Sequence, residues 1–198
     1  MPDLRHESQH IAPVVGVDEA GRGSLAGPVV AAAVVLDCAN IPAGIDDSKA
    51  LSATRRARIF GALMASAQVG IGMASVEEID RLNILWATML AMHRAVDALA
   101  ITPGMVLVDG NRCPDWPYPS RAIIGGDAKS LSIAAASIIA KQHRDAIMAA
   151  AHDQHPHYGW ASNKGYGSAQ HLAALREYGP SPLHRRSFSP VAQAYLAL

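Results

Sequence analysis

Val14-Val15-Gly16-Val17-Asp18-Glu19-Ala20-Gly21-Arg22-Gly23 is an apolar run that ends in two adjacent carboxylates and a glycine-flanked arginine. The run reads as a buried strand. Asp18 and Glu19 at its polar end repel each other, which raises the pKa of both, and a bound cation removes that cost. Gly21 and Gly23 lack a Cβ, so the backbone there can come close to a ligand and take positive φ. Arg22 between them offers a planar donor fork for phosphate. Acids for a metal beside amides for an anionic, sugar-bearing polymer point to metal-dependent phosphodiester chemistry.

Outward from this stretch, a second strand is expected over 28–36, and the short connection predicts antiparallel pairing with the first. Ser52 is placed to cap a helix over 53–67, with Arg55, Arg56 and Arg58 on its outer side. A third strand is expected over 69–74. Ser75 and Glu78 then form a capping-box pattern that opens a helical region running to about residue 99 and broken near 81–83. Trp86 and Met89 on that helix are expected in the core. Further strands are expected over 105–109 and 121–125, a long helix from Ser130 or Ser132 to about residue 152, and a helix near 168–178. Residues 1–12 read as a loose tail, and 13–198 as a single catalytic domain. Paired strands followed by strand–helix alternation predict an α/β fold with a mixed sheet. In such sheets ligands gather beyond the carboxyl ends of parallel strands, and Asp18, Asp109 and Asp127 each lie at or just after such an end.

Singly, Asp109 before Gly110 is a turn residue and Asp127 a helix cap. Together with Asp18 and Glu19 they would deposit unpaired negative charge in one place, which something cationic must neutralise. Oxygen ligands without thiolates or clustered imidazoles favour Mg²⁺ or Mn²⁺ over Zn²⁺.

Composition narrows the setting. The 198 residues carry 17 Lys+Arg against 17 Asp+Glu, so bulk charge is not what would grip a polyanion. The charge is uneven: residues 141–198 hold 6 basic against 3 acidic side chains and six of the nine histidines. Cys38 and Cys113 are too few for a disulfide framework. With no apolar leader and no apolar run long enough to span a bilayer, a reducing cytoplasm is the expected compartment, with no membrane partner. No apolar surface patch argues for an oligomer, so a monomer is expected. His152-Asp153-Gln154-His155-Pro156-His157 invites a zinc reading, but Pro156 disrupts helical ligand spacing. A helix end with histidines near its negative pole fits better.

The stretch from Gly16 to Val30 resembles the signature of the ribonuclease HII family, the bacterial type 2 ribonucleases H. So do Asp47-Ser48-Lys49, Val108-Asp109-Gly110, Gly126-Asp127-Ala128-Lys129-Ser130, Ser137-Ile138-Ile139-Ala140-Lys141, Lys164-Gly165-Tyr166-Gly167-Ser168 and His184-Arg185-Arg186-Ser187-Phe188. The matches run in order over nearly the whole chain. The resemblance implies an RNase H-like five-stranded mixed sheet flanked by helices, with a helical C-terminal extension. It implies a ribonuclease H, a phosphodiester hydrolase that cuts the RNA strand of RNA–DNA hybrids. It also implies nicking 5′ of single ribonucleotides in duplex DNA, as in ribonucleotide excision repair. Carried over, Asp18, Glu19, Asp109 and Asp127 are catalytic ligands of two divalent ions, Mg²⁺ or Mn²⁺. Gly21, Arg22 and Gly23 read the ribonucleotide, and Tyr166 senses the deoxyribose that follows it. Lys49 and Lys129 are candidate phosphate contacts that could equally be solvated loop lysines. His184, Arg185 and Arg186 read as packing and phosphate-side residues.

Two other readings stay open on the sequence. One is a resolvase- or transposase-type nuclease with carboxylates on the same kind of sheet. The other is a non-catalytic nucleic-acid-binding module, which would not need four acids at strand ends. Recruitment by a sliding clamp is also open.

Overall fold

A computed structural model describes residues 1–196. Five strands, β1 Val14–Ala20, β2 Val29–Val35, β3 Gln68–Ala74, β4 Met105–Asp109 and β5 Ser120–Ile123, form one sheet in the order β3-β2-β1-β4-β5. β2 is antiparallel to both β1 and β3, whereas β4 is parallel to β1 and to β5. The expected antiparallel start and mixed sheet are both present. The helices are α1 Ala53–Ser66, α2 Val76–Asp97, α3 Leu131–Gln154, α4 Trp160–Asn163, α5 Ala169–Tyr178 and α6 Ser189–Leu196.

Side chains alternate across a strand, so each face of the sheet builds its own core. Val15, Val17, Val29, Ala31 and Ala33 pack with α2 residues such as Met92 and Val96. Ala32 and Val34 pack on the other face with Ile138 and Ile139 of α3 and Ile59 and Leu63 of α1. Gly16 faces α3 as well: a Cβ there would run into the backbone of Ser132 and Ile133. The bare strand lets the alanine-rich start of α3 lie directly on β1. Asp18, two residues on, shares that face.

Local signals set the helix ends. The Ser52 hydroxyl accepts from the Arg55 N–H, and Ser75 and Glu78 cap each other's free amides. The expected break in α2 falls at Asn83, with φ 65 and ψ 165. Its side-chain oxygen accepts from the Leu85 and Trp86 N–H groups and restarts the helix. The restart resets the helical phase. Met89 is buried as expected, but Trp86 is 49% exposed and not in the core, because it falls in the first turn after the break.

The N-terminal segment is docked where a loose tail was expected. Glu7 Oε1 accepts from the hydroxyls of Ser130 (2.6 Å) and Ser132 (2.7 Å) and from the Ser132 N–H (2.9 Å). The free amides at the start of α3 attract an acid, and backbone bonds between Asp3 and both Lys129 and Leu131 complete the attachment. α4 and α6 were not foreseen. The last strand ends at Ile123, before Gly125 turns left-handed at φ 62.

Candidate active site

Parallel pairing explains why the acids meet. Val17 pairs with Val108, so Asp18 and Asp109 are the next residues on neighbouring strands. Asp18 is 5% exposed, and its Oδ1 accepts from the Glu19 N–H at 2.7 Å. Burial, then the charges of Glu19 and Asp109, pushes its carboxyl well above the usual carboxylate range. Burial also raises Glu19, opposed by Arg22, whose Nη1 lies 3.3 Å from Oε1. Asp109 Oδ1 accepts from the Gly126 N–H at 2.7 Å and so pins the 3₁₀ turn Gly126–Ala128 that carries Asp127. Asp127 is raised by burial and by Asp109 and Asp47, and lowered by Lys49.

The site thus holds more negative charge than Arg22 and Lys49 answer. Among the described residues, no three His, Cys, Asp or Glu side chains are already drawn into a metal cage. Asp18, Glu19 and Asp109 each spend one oxygen on a protein donor. An all-oxygen donor set in which burial, and then neighbouring charge, disfavours the ionised forms of Asp18 and Asp127 fits a hard divalent cation.

A cleft of about 440 Å³ opens beside Asp18 and Glu19 and is lined further by Gly21, Arg22, Gly23, Lys49 and Tyr166. Asp109, Asp127 and Lys129 lie outside its lining. Lys129 Nζ donates to the Ile124 carbonyl at 2.6 Å. Ser48, Ser137 and Lys141 complete the wall, and the sequence reading had given them no role. Ser137 and Lys141 stand one turn apart on α3 as polar positions within an alanine–isoleucine run, a spacing that could have marked them. The Ser137 hydroxyl donates to that of Ser48 at 2.7 Å, and Lys141 pairs with Asp145 at 2.7 Å.

Gly21 has φ 95, and a Cβ there would strike the Arg144 side chain. A Cβ on Gly23 would meet only the Tyr166 ring, at 3.9 Å. Glycine there leaves a space beside the ring that the fold itself does not use. Tyr166 is 43% exposed. Of the His184–Phe188 motif, His184 and Arg185 are buried and Arg186 is exposed. In the histidine-rich run, His155 packs 5.5 Å from the Trp160 ring and His157 lies 4.1 Å from Tyr158, so aromatic packing occupies them.

Behind Tyr166 runs an ordered chain of donors. The Tyr166 carbonyl can only accept, so His171 Nδ1, 2.8 Å away, carries the proton. His171 Nε2 is therefore bare and accepts from Trp160 Nε1 at 3.1 Å and from His184 Nε2 at 3.0 Å. His184 Nδ1 accepts from the Ser181 N–H at 2.9 Å. Both rings must be neutral. Burial lowers His171, and burial with the neighbouring His171 lowers His184 to about 3. The unfolded chain binds protons below about pH 6.5 that the folded chain refuses. This contribution is therefore flat above that pH, and below it stability falls by up to about 1.4 kcal/mol per pH unit for each histidine. Melting temperatures measured between pH 7 and 4 should drop for the wild type and drop less steeply for His184→Gln. Identical slopes would show that His184 is not held neutral.

The model of the family described as Ribonuclease HII matches residues 15–191. A ribonuclease HII of Rhizorhabdus wittichii is 64% identical over 97% of this chain and 95% of its own length. One from Paramagnetospirillum magneticum is 56% identical over 99% of this chain and 100% of its own length. The crystal structure of ribonuclease H2 from Pyrococcus horikoshii OT3 superposes with a TM-score of 0.77 at 27% identity, covering 93% of this chain and 97% of the other.

Proposed function

The chain belongs to the ribonuclease HII family, and from that premise we propose that its cleft cuts the RNA strand of RNA–DNA hybrids and nicks duplex DNA 5′ of a single embedded ribonucleotide. The observation that carries the reading is the meeting of Asp18 and Asp109 at parallel strand ends, beside a cleft walled by Gly21–Gly23 and Tyr166. Family membership does not favour a resolvase-type nuclease or a non-catalytic binding module.

Asp18, Glu19, Asp109 and Asp127 would hold two divalent ions, Mg²⁺ or Mn²⁺, which would supply charge stabilisation at the scissile phosphate and an activated water. The acids fix where that charge sits, and no protein nucleophile is required. Products carry a 5′-phosphate and a free 3′-hydroxyl. The backbone at Gly21–Gly23 hydrogen-bonds the 2′-hydroxyl, the one group that separates ribose from deoxyribose. Arg22 and Lys49 in the cleft meet phosphates, with Lys141 beside them and Lys129 further out. The Tyr166 ring packs on the next sugar when that sugar lacks a 2′-hydroxyl. Residues 13–198 act as one catalytic domain, and the protein works as a monomer. Among the described residues no helix is long and apolar enough to cross a membrane.

Magnesium-dependent nicking of a duplex holding one ribonucleotide tests the reading, and an all-DNA duplex serves as the control. Calcium is expected to support binding of that duplex but not cutting. It accepts the same carboxylates at longer distances and in looser geometry. A gel shift and a cleavage assay, both in Ca²⁺, check this. Efficient Ca²⁺-driven nicking would argue against ions held tightly enough to act as a clamp.

A further inference from the structure

Arg144 is 1% exposed and forms no salt bridge among the described residues; its guanidinium is met by carbonyls. Nε donates to Pro28 O at 3.0 Å, Nη2 to Ala26 O at 3.0 Å and Nη1 to Lys164 O at 2.9 Å. Two of these acceptors follow the Gly21–Gly23 loop on its way into β2, and the third lies two residues before Tyr166. The same side chain packs where a Gly21 Cβ would stand, and its Cζ is 5.8 Å from the centre of the Tyr166 ring. Lys164 holds φ 52, a left-handed conformation rare for a residue with a side chain. Arg144 thus holds the carbonyl of a residue in an uncommon conformation. It also projects from α3, the helix that supplies Ser137 and Lys141 to the cleft.

We infer that Arg144 is a positioning residue for substrate choice: it sets the span between the loop that meets the ribose 2′-hydroxyl and the ring that meets the next sugar. The inference rests on the roles proposed above for Gly21–Gly23 and Tyr166. Arg185 provides the contrast. It is equally buried and donates to Gly21 O, Arg22 O, Gly27 O and Pro28 O, so all its side-chain hydrogen bonds go to the loop side. A shift on the loop side alone weakens reading of any ribose. A shift in the span penalises most a substrate that engages both elements, which is a ribonucleotide followed by deoxyribose. The two segments also bond directly, Leu25 N–H to Gly165 O at 2.8 Å, so they stay joined when the arginine is replaced.

The experiment compares kcat and KM on a one-ribonucleotide duplex and on a continuous RNA–DNA hybrid for Arg144→Lys, Arg144→Gln, Arg185→Lys and Tyr166→Ala, with melting temperatures alongside. A lysine ammonium cannot reproduce the guanidinium fork. Because misplacement by about 1 Å can cost about 100-fold, Arg144→Lys should lower kcat on the single ribonucleotide about tenfold and on the hybrid by about threefold or less, with KM little changed. Arg144→Gln should shift the ratio further in the same direction, so that lysine is a partial rescue. Arg185→Lys should lower both activities by similar factors. Loss in equal proportion on both substrates in the Arg144 variants, or failure of both to fold, would make Arg144 a structural residue and overturn the inference. If Tyr166→Ala keeps the wild-type ratio of activity on the two substrates, the underlying reading of Tyr166 fails instead. If Tyr166→Ala changes that ratio while Arg144→Lys and Arg144→Gln keep it, the inference alone fails.

Discussion

Asp18→Asn should lower kcat about 1,000-fold or more, equivalent to about 4 kcal/mol of barrier, and yet raise the melting temperature of the metal-free protein. Both effects come from one charge. Asp18 is buried on the face of β1 that α3 covers, next to Asp109 and followed by Glu19. Burial, and then the neighbouring charges of Glu19 and Asp109, disfavours its ionised form. The amide keeps the volume, and its oxygen can still accept from the Glu19 N–H. It removes the repulsion and with it a ligand charge. Single-turnover rates in Mg²⁺ and melting curves in chelator check the two halves separately. Wild-type-like cutting would remove Asp18 from the metal site. A lower melting temperature would show that the acid is stabilised in the absence of metal. Asp127→Asn should act in the same direction on rate, by at least about 100-fold. It sits on a short turn that Asp109 holds in place.

The second large effect is expected at Tyr166. Tyr166→Ala should lose about 100-fold or more on a single embedded ribonucleotide, mainly in kcat, because the role proposed for its ring, packing on the next sugar, is a positioning task. The phosphate contacts proposed for Arg22, Lys49 and Lys141 would remain, so binding should change little. Tyr166→Phe keeps the ring and should retain part of the activity. The local setting supports a presented ring: Tyr166 is exposed on one side, faces the space left by Gly23, and has its carbonyl held by His171. Nicking by Tyr166→Ala as fast as wild type would remove the junction-sensing role.

The candidate site residues stood out in the sequence because they break local patterns. Asp18 and Glu19 end an apolar strand, Asp109 ends another, and glycines bracket Arg22 and Tyr166. The sheet and most helices were legible for the same reason: capping at Ser52, at Ser75 with Glu78, and at Ser130 leaves signatures in adjacent residues. What the sequence left obscure depends on distant partners. Glu7 looks like a tail residue until the free amides of α3 come against it. Arg185 reads as a packing or phosphate-side residue and Arg144 carries no local signal, and only the folded chain shows their guanidiniums buried among carbonyls. Trp86 was misplaced because its exposure follows from the phase of a helix restarted at Asn83, which periodicity across the break cannot supply. The shortest helix, α4, lacks enough residues to show a period at all.

The central claim is that these acids direct metal-dependent hydrolysis at the 5′ side of a ribonucleotide. Mapping the cleavage products of a duplex with one ribonucleotide, with Mg²⁺ and with chelator, tests it most directly. The account predicts a single nick in Mg²⁺ and none in chelator, leaving a 3′-hydroxyl on the upstream deoxynucleotide and a 5′-phosphate on the ribonucleotide. A cut on the 3′ side of the ribonucleotide ending in a 2′,3′-cyclic phosphate, or any nick in chelator, would contradict it. Such a product would make the 2′-hydroxyl the nucleophile rather than the group that is read.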